Sequence, residues 1–127
     1  MYINLILTKV YSRSIAGSRC THITESRALK RLRRKITIEV LWIYIAKALK
    51  NSEPLKAYEI RKRLRELYGL RVSAVTVYSV VYRMHREGLL EKTSVGGETL
   101  YRLSERGLEE LEKALELIES VTSMLRA

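Results

Sequence analysis

The chain has 127 residues, of which 46% are hydrophobic and 30% are charged, and its 24 lysines and arginines against 14 acids give a net charge of +10. These values are typical of one folded domain rather than of a disordered chain. The cationic excess favours a polyanionic partner, either nucleic acid or an acidic membrane. All the acids are glutamates, which removes the usual carboxylate of the Ser-His-Asp triad and of most calcium and phosphate sites.

Residues that could support metal binding or catalysis are scarce. One cysteine, Cys20, and two histidines, His22 and His85, are too few for a zinc site. A lone cysteine forms no intrachain disulfide, which favours a reducing compartment, and we expect a cytoplasmic protein. No apolar stretch is long enough to cross a bilayer, and no signal-peptide pattern is recognised. We therefore expect no enzyme, no cofactor, no metal and no membrane partner.

The N-terminal part of the chain holds most of the charge excess. Residues 1–35 contain nine bases and one glutamate, a net charge of +8, whereas residues 36–127 have a net charge of +2. Residues 30–35 form a dense basic cluster. Two interpretations of this basic extension stay open: a solvated flexible tail, or an additional arm that binds phosphates.

Residues 36–104 are predicted to form a domain that begins with two helices. The first runs from Ile36 to about Lys50, and Pro54 prevents its continuation. The second runs over residues 57–68 and ends at Gly69 in a left-handed conformation. Its predicted core face consists of Ile60, Leu64 and Leu67.

The rest of the pattern completes a known arrangement. Ser73 is the predicted N-cap of a third helix over 74–87. Strands over 89–94 and 99–103 follow, joined by a turn with two glycines, and Ser104 caps a last helix from 105 to about 125. The order predicts a mainly α fold with a small β-hairpin, the winged helix-turn-helix, with residues 105–127 as a separate C-terminal helix.

In such a fold the helix over 74–87 enters the major groove of DNA and the hairpin, or wing, contacts the backbone. Helical periodicity directs three valines and a methionine inward: Val77, Val80, Val81 and Met84. The outer side has no acid and contains serine, tyrosine and arginine, which donate hydrogen bonds to phosphates or bases. The residues predicted there are Ser79, Tyr82 and Arg86, flanked by Tyr78 and Arg83. Lys92 and Arg102 are candidate phosphate contacts on the wing, with simple exposure as the alternative.

Four motifs make this sequence similar to one family. They are Ala-Tyr-Glu-Ile at 57–60, the segment 72–84, Glu-Gly-Leu-Leu at 87–90 and Tyr-Arg-Leu-Ser-Glu-Arg-Gly at 101–107. From about position 55 to 115 the chain resembles the PadR-like transcriptional regulators. The resemblance implies a dimeric winged-helix repressor that binds a palindromic site on double-stranded DNA.

The same resemblance implies DNA-facing roles for Thr76, Tyr78 and Ser79, and Ser73 at the start of the segment is a further candidate. The family usually has Gly-Thr and Tyr-Pro in this helix, where this chain has Val75-Thr76 and Tyr78-Ser79. We expect the helix to form regardless, with a different base preference.

The last helix is the predicted dimerisation element. Its apolar stripe recurs with heptad spacing and consists of Leu108, Leu111, Leu115, Ile118 and Leu125. The alternative is that the stripe covers the chain's own core, but a helix of about 20 residues is roughly 30 Å long and exceeds such a core. A two-fold homodimer would place two recognition helices roughly 34 Å apart.

Two further interpretations remain. Trp42 and Tyr44 are candidates for the lining of a pocket for a small-molecule effector at the dimer interface, with packing in the core or the dimer seam as the alternative. The whole chain could also be a winged-helix protein-interaction module within a larger assembly. Binding to duplex DNA at low salt would distinguish a regulator from such a module.

Overall fold

The computed structural model describes residues 25–127. Cys20, His22 and most of the predicted basic extension lie outside the described residues. The elements in chain order are helices α1 (Arg27–Lys35), α2 (Leu41–Leu49), α3 (Ala57–Tyr68) and α4 (Ala74–Arg86), strands β1 (Leu90–Val95) and β2 (Glu98–Leu103), and helix α5 (Glu105–Arg126). This is the predicted winged helix-turn-helix with a long C-terminal helix.

The first predicted helix begins later than expected, because the basic cluster before it forms a helix of its own. Helix α1 is capped by Ser26, whose hydroxyl accepts a hydrogen bond from the Leu29 N–H at 3.0 Å. Residues 36–40 are turns rather than helix. Thr37 is buried there and its hydroxyl donates to the Arg33 carbonyl at 2.7 Å. Such a side-chain bond competes with helical pairing, and neighbouring β-branched residues weaken helix propensity further.

The core forms where α2, α3, α4 and the first half of α5 meet. Its most deeply buried large side chains are Leu41, Ile45, Leu49, Ile60, Leu64, Val77, Val81, Met84 and Leu111. The prediction that Leu67 belongs to this core is wrong, since Leu67 is 40% exposed. Gly69, at φ 66°, reverses the chain directly after α3, and Leu70 packs against the core there.

Two serine caps confirm the predicted starts of α4 and α5. The Ser73 hydroxyl accepts from the Thr76 N–H at 3.2 Å, and the Ser104 hydroxyl accepts from the Gly107 N–H at 3.0 Å. Ser104 also donates to the Gly88 carbonyl at 2.6 Å. The second bond fixes the start of α5 against the chain just after α4.

The hairpin is antiparallel and its register pairs Leu90 with Leu103 and Val95 with Glu98. Gly96 and Gly97 form its turn with φ 58° and 80°, as a two-residue turn with two positive φ angles requires. The hairpin is attached to the segment before α3, because Leu55 and Tyr101 exchange backbone hydrogen bonds of 3.0 and 2.8 Å. The wing is therefore held beside the start of α3.

Helix α5 has 22 residues, so its length is roughly 33 Å. Its first half packs on the core through Gly107 and Leu111, whereas every residue from Leu115 onward is exposed. Among residues 25–127, no helix is both long and apolar enough to cross a membrane.

Candidate nucleic-acid interface

Helix α4 has the predicted orientation. Val77, Val80, Val81 and Met84 are all buried against the other helices. The opposite side is exposed and contains Val75, Ser79, Tyr82 and Arg86. No acid interrupts this outer face, so its polar groups all have donor capacity towards phosphates or base edges.

Tyr82 and Arg86 form a pair on this outer face. The Arg86 guanidinium lies 5.8 Å from the centre of the Tyr82 ring, at one-turn spacing along the helix. The contact limits the rotamers of both side chains while leaving the guanidinium donors available. A guanidinium whose donors are available can form the bidentate contact with which arginine recognises guanine.

The two edges of α4 differ in their surroundings. Tyr78 lies exposed on one edge. Thr76 and Arg83 lie on the other edge, where they line a groove with Trp42 of α2 and the start of α5. The Ser73 hydroxyl caps the helix and lies 2.8 Å from the Thr76 hydroxyl, so both of these predicted site residues also have a structural role.

The two predicted wing cations are in different environments. Lys92 is exposed and its strand partner is Tyr101. Arg102 lies opposite Glu91, and its guanidinium forms an ion pair with that carboxylate. Because the pair partly neutralises Arg102, Lys92 is the more available of the two cations.

A third cation near the wing, Lys56, was not among the site residues predicted from the sequence. The Lys56 ammonium lies 2.7 Å from Glu98 Oε2 and 5.8 Å from the centre of the Tyr58 ring. The hydrogen bond to Glu98 raises the pKa of Lys56 above its ordinary value, so the side chain stays charged. The only sign of this cation in the sequence is that Lys56 and Tyr58 stand together at the start of α3, the first helix of the helix-turn-helix.

Three arginines surround the turn between α3 and α4. Arg61, Arg65 and Arg71 line a cleft of about 340 Å³, together with Leu70 and Val72. Arg61 Nε donates to the Val72 carbonyl at 2.8 Å, which fixes the turn. Arg61 and Arg65 lie one turn apart on α3, and the folded turn brings Arg71 beside them.

The proposed effector residues do not come together within one protomer. Trp42 is half-buried and lines the groove of about 680 Å³ beside Arg83. Tyr44 lies on another side of α2, where its ring meets Tyr68 edge-on at 5.5 Å. Its hydroxyl donates to the Ile36 carbonyl, and burial raises the pKa of both tyrosines. Two positions apart on a helix, Trp42 and Tyr44 face different directions.

Nor does the described part of the chain contain a metal-binding cluster of three or more histidine, cysteine or acidic side chains. His85 lies half-buried on α4. The chemistry of this surface is therefore that of hydrogen-bond donors and cations, which suits a polyanion.

The sequence itself matches the family model of the transcriptional regulator PadR-like family over residues 45–113, which is more than half of the chain. The chain belongs to the PadR-like family of transcriptional regulators. This membership assigns it to the DNA-binding regulators of transcription and not to the enzymes.

Solved structures share the fold of this PadR-like chain. A transcriptional regulator from Clostridium thermocellum is 19% identical, with 81% of this chain and 96% of that one covered and a TM-score of 0.62. A PadR-like transcriptional regulator from Bacillus cereus is 23% identical, with 74% and 93% covered and a TM-score of 0.60. F93 from STIV, a winged-helix DNA-binding protein, is 19% identical, with 67% and 92% covered and a TM-score of 0.58. Comparison with curated protein sequences gives no match.

The predicted dimerisation stripe of this PadR-like chain divides into two parts. Leu111 is 1% exposed and belongs to the protomer's own core, and Leu108 is half-buried. Leu115, Ile118 and Leu125 are exposed. The structure adds further exposed apolar side chains on the second half of α5, namely Leu117, Val121 and Met124.

Proposed function

We propose that this PadR-like regulator is a homodimeric repressor that binds a palindromic site on double-stranded DNA through α4 and the wing. The observation that carries the proposal is the exposed, acid-free outer face of α4. Its position on the second helix of the helix-turn-helix is the position that enters the major groove. A regulator acting on genomic DNA would work in the cytoplasm.

Base reading is assigned to the outer face of α4. Arg86 has the donor geometry for guanine, and Ser79 and Tyr82 supply adaptable hydroxyl groups beside it. Tyr78 and Arg83 flank them, and Ser73 and Thr76 lie at the N-terminal end that approaches the groove first. The exposed methyl groups of Val75 suit an apolar contact with a thymine methyl.

Phosphate binding is assigned to the cations around this face. Lys92 is exposed on β1, and Arg102 would contribute once its pairing with Glu91 is exchanged for a phosphate. The arginine cleft of Arg61, Arg65 and Arg71 lies at the turn before α4. Such contacts fix the orientation of a protein on the duplex without reading its sequence.

Dimerisation is assigned to the second half of α5. Leu115, Ile118 and Leu125 leave an apolar stripe in water, and pairing with a second copy would bury it. A two-fold axis would present two copies of α4 about 34 Å apart, one turn of DNA, which requires a palindromic site. Repression is the proposed outcome where such a dimer occupies promoter DNA that the polymerase needs. The groove beside Trp42 is the candidate site for a small-molecule effector.

The experiment is recovery of the genomic fragments that the purified full chain retains, followed by footprinting on the strongest site. We expect an inverted repeat with half-sites about one turn apart and reduced transcription from the bound promoter in a purified system. A half-site without symmetry would contradict the dimeric arrangement, and increased transcription would contradict repression. If no fragment is retained at low salt, the winged helix acts on protein instead of DNA.

A further inference from the structure

Helix α1 holds almost all of the positive charge excess of the described residues. Six of its nine residues are lysine or arginine and none is acidic. The other residues of the range 25–127 contain fifteen bases and fourteen glutamates, so they are close to neutral. A charge of +6 on a segment about 13 Å long is an unusual concentration, and it lies outside the helix-turn-helix and the wing.

Few of these cations are neutralised by neighbouring acids. Arg33 is paired with Glu25, and the Lys35 ammonium donates to both oxygens of Glu39 at 2.8 Å. That hydrogen bond, with the charges of Lys35 and of two arginines of α1, holds the pKa of the Glu39 carboxyl below its usual value. The other four cations of the helix form no ion pair within residues 25–127: Arg27, Lys30, Arg31 and Arg34.

The four unpaired cations make no contact with the core. Helix α1 contains no buried residue, and even its Leu32 is 51% exposed. Helical spacing places the four unpaired cations within one continuous sector, opposite the side that carries Leu32 and Ile36. Self-repulsion in this sector is unfavourable for the isolated helix, so a polyanion that lies along it would stabilise it.

The C-terminal end of α1 is held beside α4, the helix that we propose reads the DNA bases. Thr37 is buried at the end of α1, and the Tyr44 hydroxyl donates to the Ile36 carbonyl. The next residues, Ile38 and Glu39, line the same groove as Thr76 and Arg83 of α4. The basic helix therefore leaves the domain from the flank of the recognition helix.

We infer that α1 is a second DNA-binding element, whose unpaired cations bind the phosphate backbone outside the stretch that α4 and the wing occupy. The inference rests on the proposed DNA-binding function and extends its footprint. A stretch of duplex of this axial length contains about four phosphates of each strand, and long arginine and lysine side chains on a helix laid beside it can reach them with its four unpaired cations. The contact is to phosphate and therefore adds affinity and salt dependence, but no sequence preference.

The test is the salt dependence of duplex binding by the full chain in which Arg27, Lys30, Arg31 and Arg34 are all changed to glutamine. Removing one cation from a phosphate lowers the slope of log affinity against log salt by about 0.9. We expect the slope to fall by about 3.6 per protomer, the footprint to shrink by about four phosphates per half-site, and the ratio of specific to random-sequence binding to stay unchanged. Circular dichroism checks that the variant is folded. We expect it to fold because α1 contains no buried residue.

A matched control removes the same number of charges elsewhere. Its four substitutions to glutamine are at Lys47, Lys50, Lys113 and Arg126, which lie on α2, its C-terminal cap and α5. We expect this control to keep the slope and the footprint of the unmodified chain.

Other outcomes overturn the inference. An unchanged slope in the α1 variant, with normal specific binding, would mean that α1 does not touch DNA. Loss of the dimer in the α1 variant, with an unchanged slope per protomer, would mean that α1 binds the glutamates of a second copy. Binding of the chain to anionic vesicles that the α1 variant alone loses, with an unchanged slope, would make the partner a lipid surface. Failure of the unmodified chain to bind any duplex would instead refute the proposed function itself.

Discussion

Lys56 and Glu98 form an ion pair of 2.7 Å that joins the start of α3 to the first residue after the wing turn. Lys56 directly follows Leu55, whose backbone pairs with Tyr101 of β2, so the wing is attached to the helix-turn-helix by a backbone pairing and, nearer its turn, by this ion pair. The pair also places a carboxylate next to a cation on the side of the molecule that we propose approaches DNA. A phosphate that bound the Lys56 ammonium would therefore have to displace Glu98.

Changing Glu98 to glutamine should strengthen duplex binding. The substitution removes a negative charge that repels phosphate and leaves the Lys56 ammonium available, so the salt dependence should also become steeper, by about one phosphate contact. Fluorescence anisotropy with a labelled duplex at several salt concentrations measures both quantities. Glu119→Gln on α5 is the matched control, and weaker binding by the Glu98 variant alone would show that the ion pair organises the wing for DNA.

Changing Gly107 to alanine should destabilise the fold, although alanine has the higher helix propensity. A Cβ atom at this position would lie 2.2 Å from the Leu89 carbonyl oxygen and 2.6 Å from Leu103 Cδ1. Overpacking of this kind costs about 1–3 kcal/mol, whereas helix propensity alone predicts a gain of about 1 kcal/mol in an open helix. Overpacking lowers the urea unfolding midpoint and helix propensity raises it, so the sign of the measured change separates the two effects. Glu109→Ala on the exposed side of α5 is the control.

The two arginines near the outer face of α4 should differ in importance. Arg86 lies on the outer face against Tyr82, whereas Arg83 lines the groove beside Trp42. Arg86→Ala should cost about 1–3 kcal/mol in binding to the specific site, the value for a base contact, and Arg83→Ala should cost less. Titrations of both variants against the specific and a random duplex measure the difference. A greater loss from Arg83→Ala would place the groove side of α4, and not the outer face, against the bases.

A charge in the apolar stripe of α5 should separate the protomers. Ile118→Glu places a carboxylate among Leu115, Val121 and Leu125, where burial against a second copy would be costly. Analytical ultracentrifugation should show a folded monomer. Ser120→Glu introduces the same charge on the other side of α5 and should leave the dimer intact.

Leu111→Ala should instead lower the free energy of unfolding of each protomer by about 2–5 kcal/mol, because Leu111 lies in its core.

The parts of the fold that depend on neighbours in the sequence were predictable. The inward positions of Val77 and Val81 follow from helical periodicity, and the caps at Ser73 and Ser104 follow from a hydroxyl directly before an apolar-periodic segment. The wing turn follows from two consecutive glycines between alternating strands. Each of these features is decided within a few residues.

The parts that depend on long-range contacts were not predictable from the pattern. The pairing of Arg102 with Glu91 depends on strand register, and the need for glycine at position 107 depends on the approach of the Leu89 backbone. The late start of α2 is a local exception, since it depends on the Thr37 hydroxyl bonding to the Arg33 carbonyl four residues earlier, an alternative to helical pairing that periodicity does not show. Among the site residues, Lys56 was missed because Glu98 reaches it only after the wing has folded back.

The most direct measurement is the affinity of a Ser79→Glu variant for the specific duplex, compared with Ser120→Glu. Ser79 is exposed at the centre of the acid-free face of α4, so the new carboxylate would meet phosphates and base edges without disturbing the core. We predict that specific binding is lost in the Ser79 variant and kept in the Ser120 variant, with both proteins folded. Equal affinity of the two variants would contradict the placement of this face against DNA.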